Sequence, residues 1–226
     1  MNKETKKIRD GRMLNGEQLP KYPERLVEGG LENVSLELVE SMNRYYEATK
    51  DSDLDGQIMA IVENIYIVLN AFSNMGIQPD YLVRIILKYK LGRAWDNKSL
   101  SLKNNPIEFY SEIREELQFM QAPNYFGGEA GIGEDFIKMQ ETFEKLNINH
   151  SIEPTMLASN LAQNYYFSNL NALYNYRDSL DIDDDVRNLI EILYNNLYTL
   201  VQMGVNPEKY LDNLINEKMN NQLRKR

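Results

Sequence analysis

The sequence predicts an all-α protein: internally duplicated helical hairpins that form a pseudo-two-fold four-helix core with extra short helices. Three observations predict it. Apolar residues recur at helical spacing through most of the chain, and no stretch alternates as a strand would. A segment beginning at Glu63, ENIYIVLNAFSNMGIQPDYL, returns from Glu191 as EILYNNLYTLVQMGVNPEKYL. Both copies end in Met-Gly followed by a proline and a Tyr-Leu pair, the punctuation of a helix stop and a new helix start.

The repeat holds one register at an offset of 128 residues, pairing Asn43 with Asn171, Tyr46 with Tyr174, Asp53 with Asp181 and Asp55 with Asp183. It continues through Glu63 and Glu191, Tyr66 and Tyr194, Gly76 and Gly204, and Pro79 and Pro207. One extra residue in the second copy, Lys209, moves Tyr81 onto Tyr210. A unit that returns in register is read as a duplication.

Residues 1–30 hold several glycines and prolines with little apolar periodicity, so they read as a short helix at most and then an irregular arm. Leu31, Val34, Leu38, Met42 and Tyr45 share one helical face and predict a helix over 31–49. Ile58, Ile61, Ile65, Leu69 and Phe72 predict a core helix over 55–75. Gly76 closes it, and Pro79 opens a third helix to about residue 95. Residues 96–151 belong to neither copy and read as a helical insertion: helices over 106–120 and 134–146 around a Gly-rich loop. The second copy then gives helices over 154–177, 183–203 and 207–223. The expected organisation is an arm (1–30), a first repeat (31–95), the insertion (96–151) and a second repeat (152–226), all in one compact unit, because one hairpin alone is too small a core.

Composition narrows the function classes. A net charge of −9 argues against nucleic acid, whose phosphates require a basic surface. The basic stretches Lys3–Arg12 and Arg224–Arg226 read as solvated tails. With no cysteine there is no thiolate site, and a single histidine, His150, excludes a His-paired metal site or a Ser-His dyad. The start lacks a signal-peptide pattern and no run reaches about 18 apolar residues, so no membrane span is expected and the expected location is the cytoplasm. The run GGEAGIGE from Gly127 lacks the strand and the Lys-Ser/Thr ending of a phosphate loop, and reads as a flexible loop that can serve as a lid.

Spaced glutamates on one helix, a second acidic helix, a Gly-Ile/Val turn and a helix bearing Lys or Arg together resemble the MazG-like group. These are the all-α nucleoside triphosphate pyrophosphohydrolases, related to phosphoribosyl-ATP pyrophosphohydrolase and the dimeric dUTPases. The resemblance covers residues 31–95 and 152–225. It places Glu63 and Glu191 at the family's metal-binding aspartate, thirteen residues before the turn glycine, with Tyr66 and Tyr194 at its aromatic position. Glu37 and Glu40 supply the ExxE spacing in the first copy, opposite Tyr165 and Ser168 in the second. The first acid of the second-helix motif is replaced by Ala60 and Asn188.

The resemblance implies Mg²⁺, with Mn²⁺ as a substitute, held by Glu37, Glu40 and Glu63, and more weakly by Glu191 in the second copy. It implies a nucleoside triphosphate or related nucleotide as substrate, a water attacking the α-phosphorus, and room for a homodimer. Lys88, Lys90 and Arg93 would neutralise the departing pyrophosphate, and Asn70 and Asn74 would contact sugar or base. The alternative is a catalytically inactive nucleotide-binding or protein-interaction protein on the same fold. Structural roles also stand: Glu40–Arg44 as a surface i,i+4 pair, Tyr66 and Tyr194 as packing aromatics, and Lys88, Lys90 and Arg93 as a helix C-terminal charge complement.

Overall fold

A computed structural model describes residues 1–92, 106–123, 125 and 127–224. Among these the chain is helical with no strand: α1 (Asn2–Leu14), α2 (Glu28–Lys50), α3 (Leu54–Asn74), α4 (Asp80–Leu91), α5 (Pro106–Phe119), α6 (Ile132–Leu146), α7 (Ser159–Arg177), α8 (Ile182–Met203) and α9 (Glu208–Arg224).

α2 packs on α3 and α7 on α8, as hairpins joined by short turns must; α3 then meets α8 and α2 meets α7, which closes four helices around one core. α3 is apolar on nearly all sides, with Ile58, Ile61, Val62, Ile65, Val68, Leu69 and Phe72 buried, because neighbours cover it all round. It alone among the described helices is long and apolar enough to cross a membrane, and 72% of its most apolar window lies inside the bundle.

Each long central helix begins on an aspartate cap. Asp53 accepts from the Gly56 amide at 3.0 Å and Asp181 from the Asp184 amide at 2.9 Å, which satisfies donors a helix start leaves open. Each ends at a glycine in the left-handed region, Gly76 at φ +68° and Gly204 at φ +70°. A side chain there is also blocked by a passing strand of backbone: an added Cβ would come within 2.5 Å of the Tyr22 carbonyl at Gly76 and 2.7 Å of the Ser151 carbonyl at Gly204. Those segments are tied down, Glu24 N donating to Met75 O at 2.9 Å and Thr155 N to Met203 O at 3.0 Å. The second tie explains why α7 starts at Ser159 rather than at 154: residues 151–155 are held across the α8 terminus by backbone bonds at both ends.

The burial pattern of the outer helices follows a different offset from the sequence repeat. Buried Val34, Leu38, Ser41, Met42 and Tyr45 of α2 recur in α7 as Tyr165, Asn169, Ala172, Leu173 and Tyr176, each 131 residues on rather than 128. α2 runs five residues past Tyr45, whereas α7 stops one residue after Tyr176, so α2 is about a turn longer where it meets its hairpin turn. By burial, the α7 positions matching Glu37 and Glu40 are therefore Ser168 and Asn171, again without a carboxylate.

The N-terminal end of the chain is docked, whereas the basic stretch at Arg224–Arg226 ends outside the described residues. α1 lies on α3 and α9, and Lys7 pairs with Asp212 at 2.9 Å while Arg9 donates to Ser73 O at 3.3 Å, so the basic N-terminal stretch is a docked helix and not a solvated tail. The Met1 ammonium is buried against Asp80 at 3.0 Å, Asp135 at 3.2 Å and Glu4 at 3.5 Å. The Gly-rich segment, read as a flexible lid, is tethered to the same cluster: Ala130 N donates to Asp80 at 3.0 Å, Ile132 N to Glu4 at 3.1 Å, and Asn2 Nδ2 to Gly128 O at 2.6 Å. Buried carboxylates recruit backbone amides in this way because unpaired they would be costly.

Candidate functional site

Glu63, Tyr66, Asn70 and Asn74 lie three to four residues apart on α3 and therefore on one helical stripe. Three elements frame that stripe: α2 beside it, the end of α1 over its C-terminal half, and α9 across its N-terminal half. From α2, Arg44 donates to Glu63 Oε2 at 2.5 Å, and from α9, Lys218 approaches Glu63 Oε1 at 3.5 Å. The same Lys218 ammonium stands 5.8 Å from the Tyr66 ring centroid, a cation–π arrangement. From α1, Arg12 donates to Asn70 Oδ1 at 3.0 Å and to Asn74 Oδ1, and its other edge meets Glu17, at 2.8 Å from Nε.

Glu37 and Glu40 lie exposed on α2 beside this group. The Glu37 carboxyl is raised above the ordinary glutamate value, first by desolvation among its neighbours, then by Glu63 and Glu40, with Lys218 and Arg12 pulling the other way. Tyr66, only 9% exposed, has its hydroxyl pushed up to about 12 by desolvation, with Glu37, Glu17 and Glu63 adding to the shift and Arg12 opposing it. Below the glutamates opens a groove of about 770 Å³ between α2, α3 and α9, whose acidic lining is Glu40, Glu47, Asp51, Asp53, Glu63 and Glu217.

The fold thus gathers Glu37, Glu40, Glu63, Asn70 and Asn74 on one face, as the sequence reading required. It does not bring Lys88 or Lys90 there. Lys88 pairs with Glu112 of α5 at 2.8 Å, and Lys90 with Glu191 of α8 at 2.6 Å. Arg93 lies outside the described residues. The reason is topological: α4 packs on α8, and α9 on α3, so each terminal helix serves the other hairpin. Lys90 stands 5.9 Å from the Tyr194 centroid, the counterpart of Lys218 over Tyr66. Glu191 is therefore half of a lysine pair, with no second carboxylate from α7 beside it.

The donor set was tested against a divalent cation. Such an ion wants several oxygens at about 2.0–2.6 Å. Both Glu63 oxygens already face cationic side chains, Ala60 brings no donor, and among the described residues no three carboxylates or histidines converge closely enough to hold a metal. In this arrangement Arg44 and Lys218 stand against the two Glu63 oxygens that a divalent cation would need.

Sequence reasoning missed Arg12, Arg44 and Lys218. Arg44 looked like the i,i+4 partner of Glu40, but the hairpin offers it Glu63 instead. Lys218 carries no local signal, since its partner is 155 residues away. Compared with known proteins, the chain matches no family model, no curated protein and no solved structure.

Proposed function

We propose that this chain is a non-hydrolysing member of the MazG-like lineage that binds a nucleoside polyphosphate on the α3 face. The observation that carries the reading is the pairing of Glu63 with Lys218 and of Glu191 with Lys90, each beside a tyrosine ring. An ammonium fixed against the glutamate supplies the positive charge a metal would otherwise bring, and it needs no metal to draw in a phosphate. Arg12 and Lys218, from two different helices, flank Tyr66, Asn70 and Asn74, which suits phosphates at the cations and sugar or base at the amides.

On the same reading the two halves descend from one duplicated unit that is larger than the sequence alone suggested. α6 packs on α8 as α1 packs on α3, and Phe143 lies against Tyr198 in a tilted ring contact at 4.7 Å where Arg12 meets Asn70 in the first half. Each unit then holds four helices, α1–α4 and α6–α9, with α5 between them.

A second reading, a Mg²⁺- or Mn²⁺-dependent nucleoside triphosphate pyrophosphohydrolase working in the first half, is favoured by one observation. Desolvation chiefly, and then Glu63 and Glu40, raise the Glu37 carboxyl, and a divalent cation would relieve the part that is repulsion. Calorimetry with a panel of nucleoside triphosphates, with and without Mg²⁺, read together with pyrophosphate release, separates the two. The binding reading expects heat without product, weakened at least tenfold in Arg12→Ala and Lys218→Ala. Pyrophosphate release that Glu63→Gln abolishes would establish the hydrolase instead, and neither heat nor product would sink both.

A further inference from the structure

A second concavity, of about 370 Å³, lies on α4 away from the α3 face, walled by α5 and α6. Its lining brings together Arg84, Lys88 and Lys138, with Tyr81 and Ile85 as apolar walls and Glu112 and Glu116 on the α5 side. Three cations converging in one hollow is notable in a chain of net charge −9.

Both acids are engaged by other groups, and neither pairs with Arg84. Glu112 is engaged by Lys88 at 2.8 Å, and Glu116 accepts from the Tyr125 hydroxyl. Burial, and then Glu116 itself, push the Tyr125 phenol upward, so it stays a donor and keeps Glu116 turned toward it. Arg84 has no carboxylate partner among the described residues; its guanidinium stands 5.0 Å from the Tyr81 ring centroid. Tyr81 is itself steadied by an edge contact with Tyr125 at 6.4 Å. Arg84 and Lys88 are also four apart on one helix, a like-charge spacing that is unfavourable unless something else offsets it. A planar fork without an acid, next to a lysine and over an aromatic wall, is the donor set that recognises an oxyanion.

We propose that this pocket binds a small oxyanion, a phosphate or carboxylate carried on a compact apolar or aromatic body. Arg84 is its main ligand and Lys88 the second, while Tyr81 and Ile85 pack against the body. The site is independent of the α3 face and stands or falls without it.

The test is titration of the full chain at low salt with inorganic phosphate, phenyl phosphate and benzoate, followed by amide and methyl NMR. Saturable shifts at Tyr81 and Ile85 are expected for phenyl phosphate or for benzoate, and which of the two binds more tightly identifies the anion. Arg84→Ala is expected to weaken that binding at least tenfold and Lys88→Gln severalfold, with unchanged circular dichroism. Arg84 is exposed, so its replacement leaves the fold standing. No saturable shift with any of the three probes overturns the proposal, and so does binding that both variants leave unchanged.

Discussion

Asp135 carries its carboxyl into the interior, where desolvation raises its pKa to about 6 although the Met1 ammonium 3.2 Å away pulls it back. Asp80 from α4 and Glu4 from α1 face the same ammonium and push the value up further. In the unfolded chain an aspartate titrates near 3.9. Between roughly pH 4 and 6 the folded protein therefore holds a proton that the unfolded chain has released, and stability falls as pH rises through that window. Asp135→Asn removes this titration. Urea unfolding at a series of pH values is expected to show the variant flatter than wild type from pH 4 to 6, by on the order of 2 kcal/mol. Identical slopes in the two proteins would mean that the carboxyl titrates at its ordinary value. Arg12 is the other residue whose loss is felt, through its bonds to Asn70 and Asn74 and its pair with Glu17. Arg12→Ala is expected to lower stability by about 1–2 kcal/mol in the same measurement, since hydrogen bonds to a charged donor are lost at a half-buried place.

Between helices, the core is pinned by a buried polar chain as well as by apolar packing. Asn64 of α3 donates to the Tyr165 hydroxyl at 3.0 Å, that hydroxyl donates to Asn196 of α8 at 2.7 Å, and Asn196 donates to Asn169 of α7 at 3.3 Å. Tyr165→Phe keeps the ring but removes two bonds of the chain, leaving Asn64 only its longer 3.4 Å bond to Asn196 Oδ1, at an expected cost of about 1–2 kcal/mol; a change under a few tenths by chemical denaturation would show the network to be dispensable. The same network marks the limit of what the sequence discloses. α3 and α8 were legible because their stripes are aliphatic and end at Met-Gly. α7 was less legible because it buries Asn169 and Tyr165 where the pattern seeks aliphatics, so its buried face follows a different spacing from the polar identities of the repeat. Of the site, the α3 stripe and the α2 glutamates could be read from helical spacing. Arg12 and Lys218 could not, since nothing near either residue in sequence encodes which helix it will lie across.

For the whole molecule, the crossed terminal helices decide how the chain comes apart. α4 follows the first hairpin yet packs on α8, and α9 follows the second yet packs on α3. Lys90 and Lys218 each close a cluster in the opposite half, and Arg25, from the arm before α2, reaches Asp185 of α8 at 2.7 Å. The largest apolar faces, those of α3 and α8, are buried against each other, so neither hairpin can open without exposing the other's core. Two independent units would leave few contacts crossing between them and would unfold separately; this arrangement leaves no such seam. Urea unfolding is therefore expected to be one cooperative transition, with the midpoint from far-ultraviolet circular dichroism coinciding with that from tyrosine absorbance. Lys218→Met and Lys90→Met, each breaking one crossing, should shift both probes together, whereas a variant that separated the two curves would show that the halves fold as independent units.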